Sequence, residues 1–157
     1  MGAWTSLACD RGVSVAVDDS TLCIVFRGPH SDQYPAEATL WFERALEVVT
    51  GPELSLVILI EDCAESPDAV ARRSYSNALS EFRAEIGAYA QVIVSEGLKG
   101  AAFRAICSTI FLLSRSNGNS KVFSDASDAA RWIAESNSGR STSPEALDAF
   151  IDDVRRA

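Results

Sequence analysis

The chain of 157 residues is long enough for one domain with a sizeable core, and its 47% apolar and 23% charged residues exclude a disordered or fibrous protein. Acidic residues outnumber basic residues by 22 to 14, which gives a formal net charge of −8. Because the basic residues are scattered along the chain, the composition excludes a nucleic-acid partner that binds through a clustered basic face.

The first predicted elements form an antiparallel hairpin. Residues 13–17 and 21–26 are rich in β-forming residues, and the polar break between them suits a turn. A stretch with helical periodicity follows from about residue 32 to residue 49 and ends at a Gly-Pro pair. The run 54–60 is almost continuously apolar, which is typical of a central strand covered on both faces in a parallel sheet.

Helices and strands then alternate to the end of the chain. Ser66-Pro67-Asp68 predicts a helix with Ser66 as its N-cap and Pro67 at its first position, ended by Gly87. The elements that follow are a strand over 89–94, a helix over 98–116, a strand over 121–123, a helix over 125–136 and a final helix that begins at Ser143-Pro144-Glu145.

The order of the elements, ββαβαβαβα, predicts an α/β fold with right-handed crossovers. We expect a mixed, mostly parallel sheet with an N-terminal antiparallel hairpin, plus an appended amphipathic C-terminal helix that must dock its apolar stripe on another surface. The predicted segments are an N-terminal extension over 1–12, the α/β domain over 13–136, a linker over 137–143 and the C-terminal helix over 144–157.

The spacing of the cysteines and the hydropathy of the chain indicate the cellular compartment of the protein. Cys9, Cys23, Cys63 and Cys107 have neither the spacing of a zinc site nor the density of a disulfide-stabilised secreted domain, which favours a reducing compartment. No stretch has the pattern of a signal peptide, and no run approaches the ~18 apolar residues of a spanning helix. We therefore predict a cytoplasmic protein with no transmembrane segment.

No stretch of the sequence presents a coherent set of catalytic or cofactor-binding residues. Cys63 precedes a predicted helix N-terminus, where the pKa of a thiol can fall, but no base is assigned near it and Ala69 breaks the C-x5-R pattern of a phosphatase. The acids within 61–68 lack the ordered spacing of a cation site, and His30 is interpreted as a turn residue. No glycine-rich phosphate motif occurs. We predict a protein that is not an enzyme, with no metal and no cofactor.

The segment from Arg104 to Arg115 holds ten uncharged, mostly apolar residues between two arginines. Placed at about 100° per residue, this helix has two faces. The predicted core face comprises Ala102, Ile106, Thr109, Ile110 and Leu113. The predicted outward face comprises Arg104, Ser108, Phe111 and Arg115, flanked by Cys107 and Leu112.

Phe111 between two arginines is typical of an anchor for a protein partner, because aromatic residues and arginines dominate interface energetics. We therefore predict that the outward face binds a partner, and a second copy of the chain could use the same patch in a two-fold homodimer. The alternative is that another element of the same chain, such as the stripe of the C-terminal helix, covers Phe111.

Four stretches carry a resemblance to a known family, and they read LVILIED, SPDAVARRSY, AQVIVSEGLKGAAFRAI and KVFSDASDAARWI. Together with the element order, they resemble the STAS-like, SpoIIAA-like domains of bacterial regulatory proteins over about residues 13–134. The resemblance implies a signalling module that binds protein partners, nucleotides or lipids and in most cases catalyses no reaction.

The resemblance also implies where a regulatory turn would lie. Anti-sigma-factor antagonists of this kind carry a phosphorylatable serine in an Asp-Ser-Ser-Gly-like turn between a central strand and the next helix. The corresponding turn here lacks Ser-Ser-Gly, and its nearest hydroxyl is Ser66, which we interpret as an N-cap. Asp62, Cys63, Glu65 and Ser66 form the candidate switch or ligand turn.

Two function hypotheses follow. The first is a non-enzymatic, cytoplasmic protein-interaction and regulatory module of the STAS-like type. The second is a carrier or sensor that binds a small apolar or lipid-like ligand between the sheet and the helices, because the apolar helix over 98–113 could line a pocket.

Overall fold

The structure, a computed structural model, describes residues 4–114, 119–136 and 142–157, with the backbone alone for residues 111–114. The strands are β1 (Thr5–Cys9), β2 (Val13–Val17), β3 (Thr21–Phe26), β4 (Leu54–Ile60), β5 (Ile86–Ile93) and β6 (Ser120–Phe123). The helices are α1 (Gln33–Val48), α2 (Ala69–Glu81), α3 (Gly97–Ser114), α4 (Ala126–Ser136) and α5 (Pro144–Arg156).

The strands form one six-stranded sheet in the order β1-β2-β3-β4-β5-β6. β1, β2 and β3 pair in antiparallel fashion, and β3 to β6 are parallel. The predicted α/β class, the mixed sheet and the antiparallel hairpin are confirmed. β4 lies in the parallel part of the sheet, and six of its seven residues are buried, because helices cover both of its faces.

Alternation along the strands divides the core between two helical layers. Val15, Leu22 and Ile24 pack with the buried faces of α1 and α2, while Cys23 and Val25 pack with α4 and α5. α3 covers the carboxyl ends of β4 and β5 on the α1 side, through Phe103 and Cys107. Sequential parallel strands joined by right-handed crossovers place α1, α2 and α3 on one face, so α4 and α5 complete the opposite face.

Helix α5 is part of the domain core. Its stripe of Leu147, Phe150, Ile151 and Val154 is buried with α4 against the sheet. Ser143 is the N-cap, as predicted, and its side chain accepts a hydrogen bond from the Ala146 N–H at 3.2 Å. Most of the predicted linker, residues 137–141, lies outside the described residues.

Strand β1 is an element that the sequence did not predict, because its residues read TSLAC and lack an apolar alternation. It pairs with β2 at the edge of the sheet, with a register shift between Ser6 and Ala8. Residues 5–9 of the predicted N-terminal extension are therefore a strand of the sheet. Backbone pairing, rather than side-chain burial, accounts for its place in the fold.

Two further predictions, the N-cap of α2 and the residue that ends it, are wrong. Asp68, not Ser66, is the N-cap, and its carboxylate accepts a hydrogen bond from the Ala71 N–H at 2.8 Å. Both residue types suit an N-cap, and the two-residue difference places Pro67 before the helix rather than in its first turn. Gly87 does not end the helix, because α2 ends at Glu81 and Gly87 lies in β5.

Replacing Asp68 with alanine should lower the free energy of unfolding by about 1 kcal/mol, because the Ala71 N–H loses its acceptor. Ser66→Ala is the matched control and should change it by less than about 0.5 kcal/mol, as is usual for an exposed residue. Urea unfolding of the two variants measures the difference. A larger loss for Ser66→Ala would restore Ser66 as the N-cap.

Candidate functional site

The carboxyl ends of β3, β4 and β5 meet at one edge of the sheet, which is where α/β folds commonly bind ligands and partners. The candidate switch turn lies here, between β4 and α2. Val70 and Leu98 lie beside it, each as the second residue of a helix that starts at this edge. We use the term strand-end surface for the turn 62–67 together with Val70 and Leu98.

Asp62 fastens the turn to the start of α3. Its carboxylate accepts a hydrogen bond from the buried Ser95 hydroxyl at 2.9 Å, and its backbone carbonyl accepts one from the Lys99 ammonium. Gly97 has a φ of +63°, a left-handed conformation that favours glycine, and it lets the chain pass directly from the strand end into α3. Asp62 therefore has a structural role in holding the turn.

Cys63 and Glu65 fasten the other side of the turn to the loop that follows β3. The Cys63 thiol donates a hydrogen bond to the Arg27 carbonyl oxygen at 2.5 Å. Glu65 accepts a hydrogen bond from the His30 N–H at 3.1 Å, and its own N–H donates to the Gly28 carbonyl at 3.1 Å. The Cys63 thiol is thus used in a hydrogen bond that holds the turn, an arrangement that disfavours Cys63 as a nucleophile.

The four acids near the turn are directed to four different partners. Asp62 and Glu65 hold the turn, Asp68 caps α2, and Glu61 forms an ion pair with Arg155 at 2.6 Å. Within the described residues, no group of three histidine, cysteine or acidic side chains is placed to hold a metal ion. Ser66 is exposed, and with Asp68 as the N-cap its hydroxyl is not required for capping.

A small apolar cavity of about 50 Å³ lies beneath the strand-end surface. Its walls come from β3, β4, the turn, α2 and α3, and its lining residues are Phe26, His30, Ile60, Ala64, Glu65, Pro67, Tyr75 and Phe103. A buried water needs roughly 10–15 Å³ of cavity volume, and an engineered cavity of about 150 Å³ binds benzene. The cavity therefore has room for a short apolar group, but not for a whole lipid.

His30 and Tyr75 supply the polar part of the cavity wall. The His30 Nε2 atom and the Tyr75 hydroxyl lie 3.0 Å apart and form a hydrogen bond. Burial raises the pKa of Tyr75, which keeps its hydroxyl protonated at neutral pH. The ring of Tyr34 packs edge-on against His30, and the Tyr34 hydroxyl donates to Asp10 at 2.6 Å. His30 is therefore part of an ordered aromatic cluster, beyond the turn role that the sequence predicted.

Val70 and Leu98 are the most exposed large aliphatic side chains of the strand-end surface. Their exposed fractions are 74% and 92%, whereas Leu40 on α1 is 40% exposed. Single exposed aliphatic residues are common and need no explanation. These two, however, occupy equivalent positions on two helices that pack against each other, on either side of a turn held by hydrogen bonds. Their placement beside an ordered turn makes the strand-end surface the candidate contact surface.

The predicted faces of the two-arginine helix require correction. Phe103 and Cys107 are 2% and 3% exposed and form its core face, while Ala102 and Thr109, which were predicted to be buried, are exposed. Burial raises the pKa of the Cys107 thiol to about 12 and removes this residue from any partner-binding surface. Ile106 and Ile110 of the predicted core face are partly buried, and Ile110 packs against the core, so the prediction is right for these two residues and wrong for Ala102 and Thr109. Apolar residues occur on several sides of this helix, so its periodicity alone did not locate the centre of the buried face.

The rest of the predicted partner-binding set divides in two. Arg104 and Ser108 are exposed, and the Ser108 hydroxyl donates to the Arg104 carbonyl at 2.8 Å within the helix. The side chains of Phe111 and Leu112, and the whole of Arg115, lie outside the described residues. A two-fold contact through Phe111 stays a prediction.

Comparisons with protein-family models, with curated proteins and with solved structures found no match. The STAS-like resemblance thus stays an expectation that rests on the sequence stretches quoted above. Across the described parts of the chain, no helix is both long enough and apolar enough to cross a membrane.

Sequence reasoning missed Val70, Leu98, Tyr75 and Phe103 as members of the site. Val70 and Leu98 carried a usable signal, because each is an aliphatic residue in a helix first turn at a strand end. Tyr75 and Phe103 carried none beyond their apolar character, since any buried helical stripe contains such residues. The cavity that they line depends on how α2 and α3 pack.

Proposed function

We propose that this protein is a non-enzymatic, cytoplasmic protein-interaction module of the STAS-like type with a regulatory role in bacteria. Its partner binds the strand-end surface. The observation that carries the proposal is the pair of exposed aliphatic side chains, Val70 and Leu98, on either side of the fastened turn. A surface whose backbone is already ordered loses little conformational entropy on binding, which favours recognition of a partner.

The chemistry of the turn supports binding rather than catalysis. Asp62 accepts hydrogen bonds from Ser95 and Lys99, and the Cys63 thiol donates to a carbonyl oxygen. A general base or nucleophile needs a free lone pair aimed at a substrate. Here the Asp62 Oδ1 atom and the Cys63 thiol proton are instead engaged in hydrogen bonds that hold the turn.

The test is a comparative pulldown from the native host with the Val70→Ser/Leu98→Ser double variant. If each side chain contributes about 1 kcal/mol or more to the interface, the double variant should retain at least about tenfold less of the specific partner. Leu40→Ser is the matched control, because Leu40 is an exposed aliphatic residue of α1, away from the turn. Quantitative mass spectrometry of the captured proteins provides the readout. Equal capture by the wild type and the double variant would contradict the proposal.

The cavity favours a second candidate function, a carrier or sensor of a small apolar or lipid-like ligand. Its mostly apolar walls, with the His30–Tyr75 pair and Glu65 as polar members, suit a ligand with a short apolar part and a polar group. Native mass spectrometry of the protein as purified separates the two functions. A retained small molecule supports the carrier, and a bare chain that still captures a protein partner supports the module.

A further inference from the structure

The side chain of Arg27 has unused hydrogen-bonding capacity in a buried place. Arg27 follows the last residue of β3, and because Phe26 faces α1, alternation directs Arg27 toward α5. Its Nη1 atom donates to the Arg155 carbonyl at 3.1 Å. Its Nε and Nη2 atoms are shielded from solvent and have no hydrogen-bond partner among the described residues.

The two unpartnered nitrogens define a specific chemistry. In a guanidinium group, the Nε–H and one Nη2–H point in the same direction and form a two-donor edge. That edge matches two oxygens of a carboxylate or a phosphate group, which it binds with two parallel hydrogen bonds. The third nitrogen of Arg27 is already used at the end of α5, so the free edge is the one suited to an oxyanion.

The adjoining loops do not supply this oxyanion. Glu61, which follows the neighbouring strand, forms its ion pair with Arg155 at 2.6 Å. The Asp10 Oδ1 atom accepts hydrogen bonds from the Gly12 and Val13 N–H groups and from the Tyr34 hydroxyl, and the Asp10 charge interacts with Arg27 without a hydrogen bond between them. A buried cation without a hydrogen-bonded counter-charge is costly. The Arg155 carbonyl, at the negative end of the α5 dipole, compensates only part of that cost.

We propose that the free edge of Arg27 binds an oxyanion of a small ligand, a carboxylate or a phosphate group, at the carboxyl ends of β3 and β4. The last turn of α5 covers the guanidinium, so binding requires that turn to shift. Terminal turns of helices open more easily than helix interiors. This turn carries Val154 of the buried stripe and the ion pair between Arg155 and Glu61, so the bound oxyanion must offset the cost of moving them. The site lies on the α5 side of the sheet, and the strand-end surface adjoins it through the hydrogen bond from Cys63 to the Arg27 carbonyl.

The test is a titration of the whole protein with sodium phosphate and, separately, with sodium acetate, both at constant ionic strength. The side-chain Nε–H resonance of Arg27, observed by NMR, should shift in a saturable manner as the concentration of phosphate, acetate or both increases. A response to acetate alone indicates a carboxylate ligand, and a response to phosphate alone indicates a phosphorylated one. A response to both supports the site without separating the two ligand types.

Arg27→Gln should weaken binding at least about tenfold, because hydrogen bonds to a charged group are lost. Arg131→Gln is the matched control, since Arg131 is an exposed arginine paired with Asp128 on α4, and it should bind like the wild type. If Arg27→Gln does not fold, Arg27→Lys keeps the charge without the two-donor edge and should still lose affinity.

Three outcomes would overturn the proposal. The first is the absence of saturable binding, and the second is equal binding by the wild type and the Arg27 variants, which indicates an adventitious ion only. The third is an NMR coupling across a hydrogen bond between the Arg27 Nε–H and the Glu61 carboxylate without added anion, which would mean that Glu61 is the internal partner of the free edge.

Discussion

Phe103→Ala should lower the free energy of unfolding by about 3–5 kcal/mol, the usual cost of removing a buried aromatic side chain. Phe103 is 2% exposed, packs with Ile60, Ile93 and Cys107, and forms one wall of the cavity. The loss therefore combines the free energy that burial of the aromatic ring contributes with the cost of enlarging an existing cavity. Urea unfolding measures the change. The comparison requires that the slope of the free energy of unfolding against urea concentration is the same for the variant and the wild type.

The matched control lies on the same helix. Thr109→Ala should change the free energy of unfolding by no more than about 0.5 kcal/mol, because Thr109 is exposed and its hydroxyl donates to the Ala105 carbonyl of its own helix at 3.0 Å. A greater loss for Thr109→Ala than for Phe103→Ala would mean that the helix buries the face that the sequence predicted.

The enlarged cavity also tests the carrier hypothesis. Benzene should raise the melting temperature of Phe103→Ala and leave the wild type nearly unchanged, since only the variant has space for the ring. A variant that loses stability without responding to benzene would show that the surrounding side chains collapse into the space. In that case the wild-type cavity would be a weak basis for ligand binding.

Ile151→Ala should lower the free energy of unfolding by about 2–5 kcal/mol. Ile151 is fully buried in α5 and packs with the sheet and α4, so its truncation leaves a cavity in the second core layer. Ala149→Ser, on the exposed side of the same helix, is the control and should cost less than about 0.5 kcal/mol. The measurement is urea unfolding followed by circular dichroism and by tryptophan fluorescence.

The two probes decide whether α5 is integral to the domain. Coincident transitions indicate one cooperative unit that includes α5. If α5 instead unfolds first, with the remaining signal unchanged, it behaves as the appended helix that its place in the sequence suggests. The ion pair between Arg155 and Glu61 joins α5 to the end of β4, which favours the cooperative outcome.

The sequence by itself determined the α/β class, the central strands and the cap of α5. Residues 21–26 and 54–60 are predicted with the bounds that the structure has, because their short length, their β-branched residues and the turn signals around them favour a strand over a helix. Ser143 was predicted correctly since its hydroxyl, the following proline and the amphipathic stripe all indicate the same helix start.

Only the tertiary structure decided which side of α3 is buried, where β1 pairs and how Arg27 is surrounded. α3 is apolar on most sides, so its orientation depends on the packing of Phe103 against β4 and β5 rather than on its own periodicity. β1 is held by backbone pairing at a sheet edge, which leaves little trace in side chains. The unpartnered edge of Arg27 and the cavity arise from contacts between distant segments, and no local pattern in the sequence encodes such contacts.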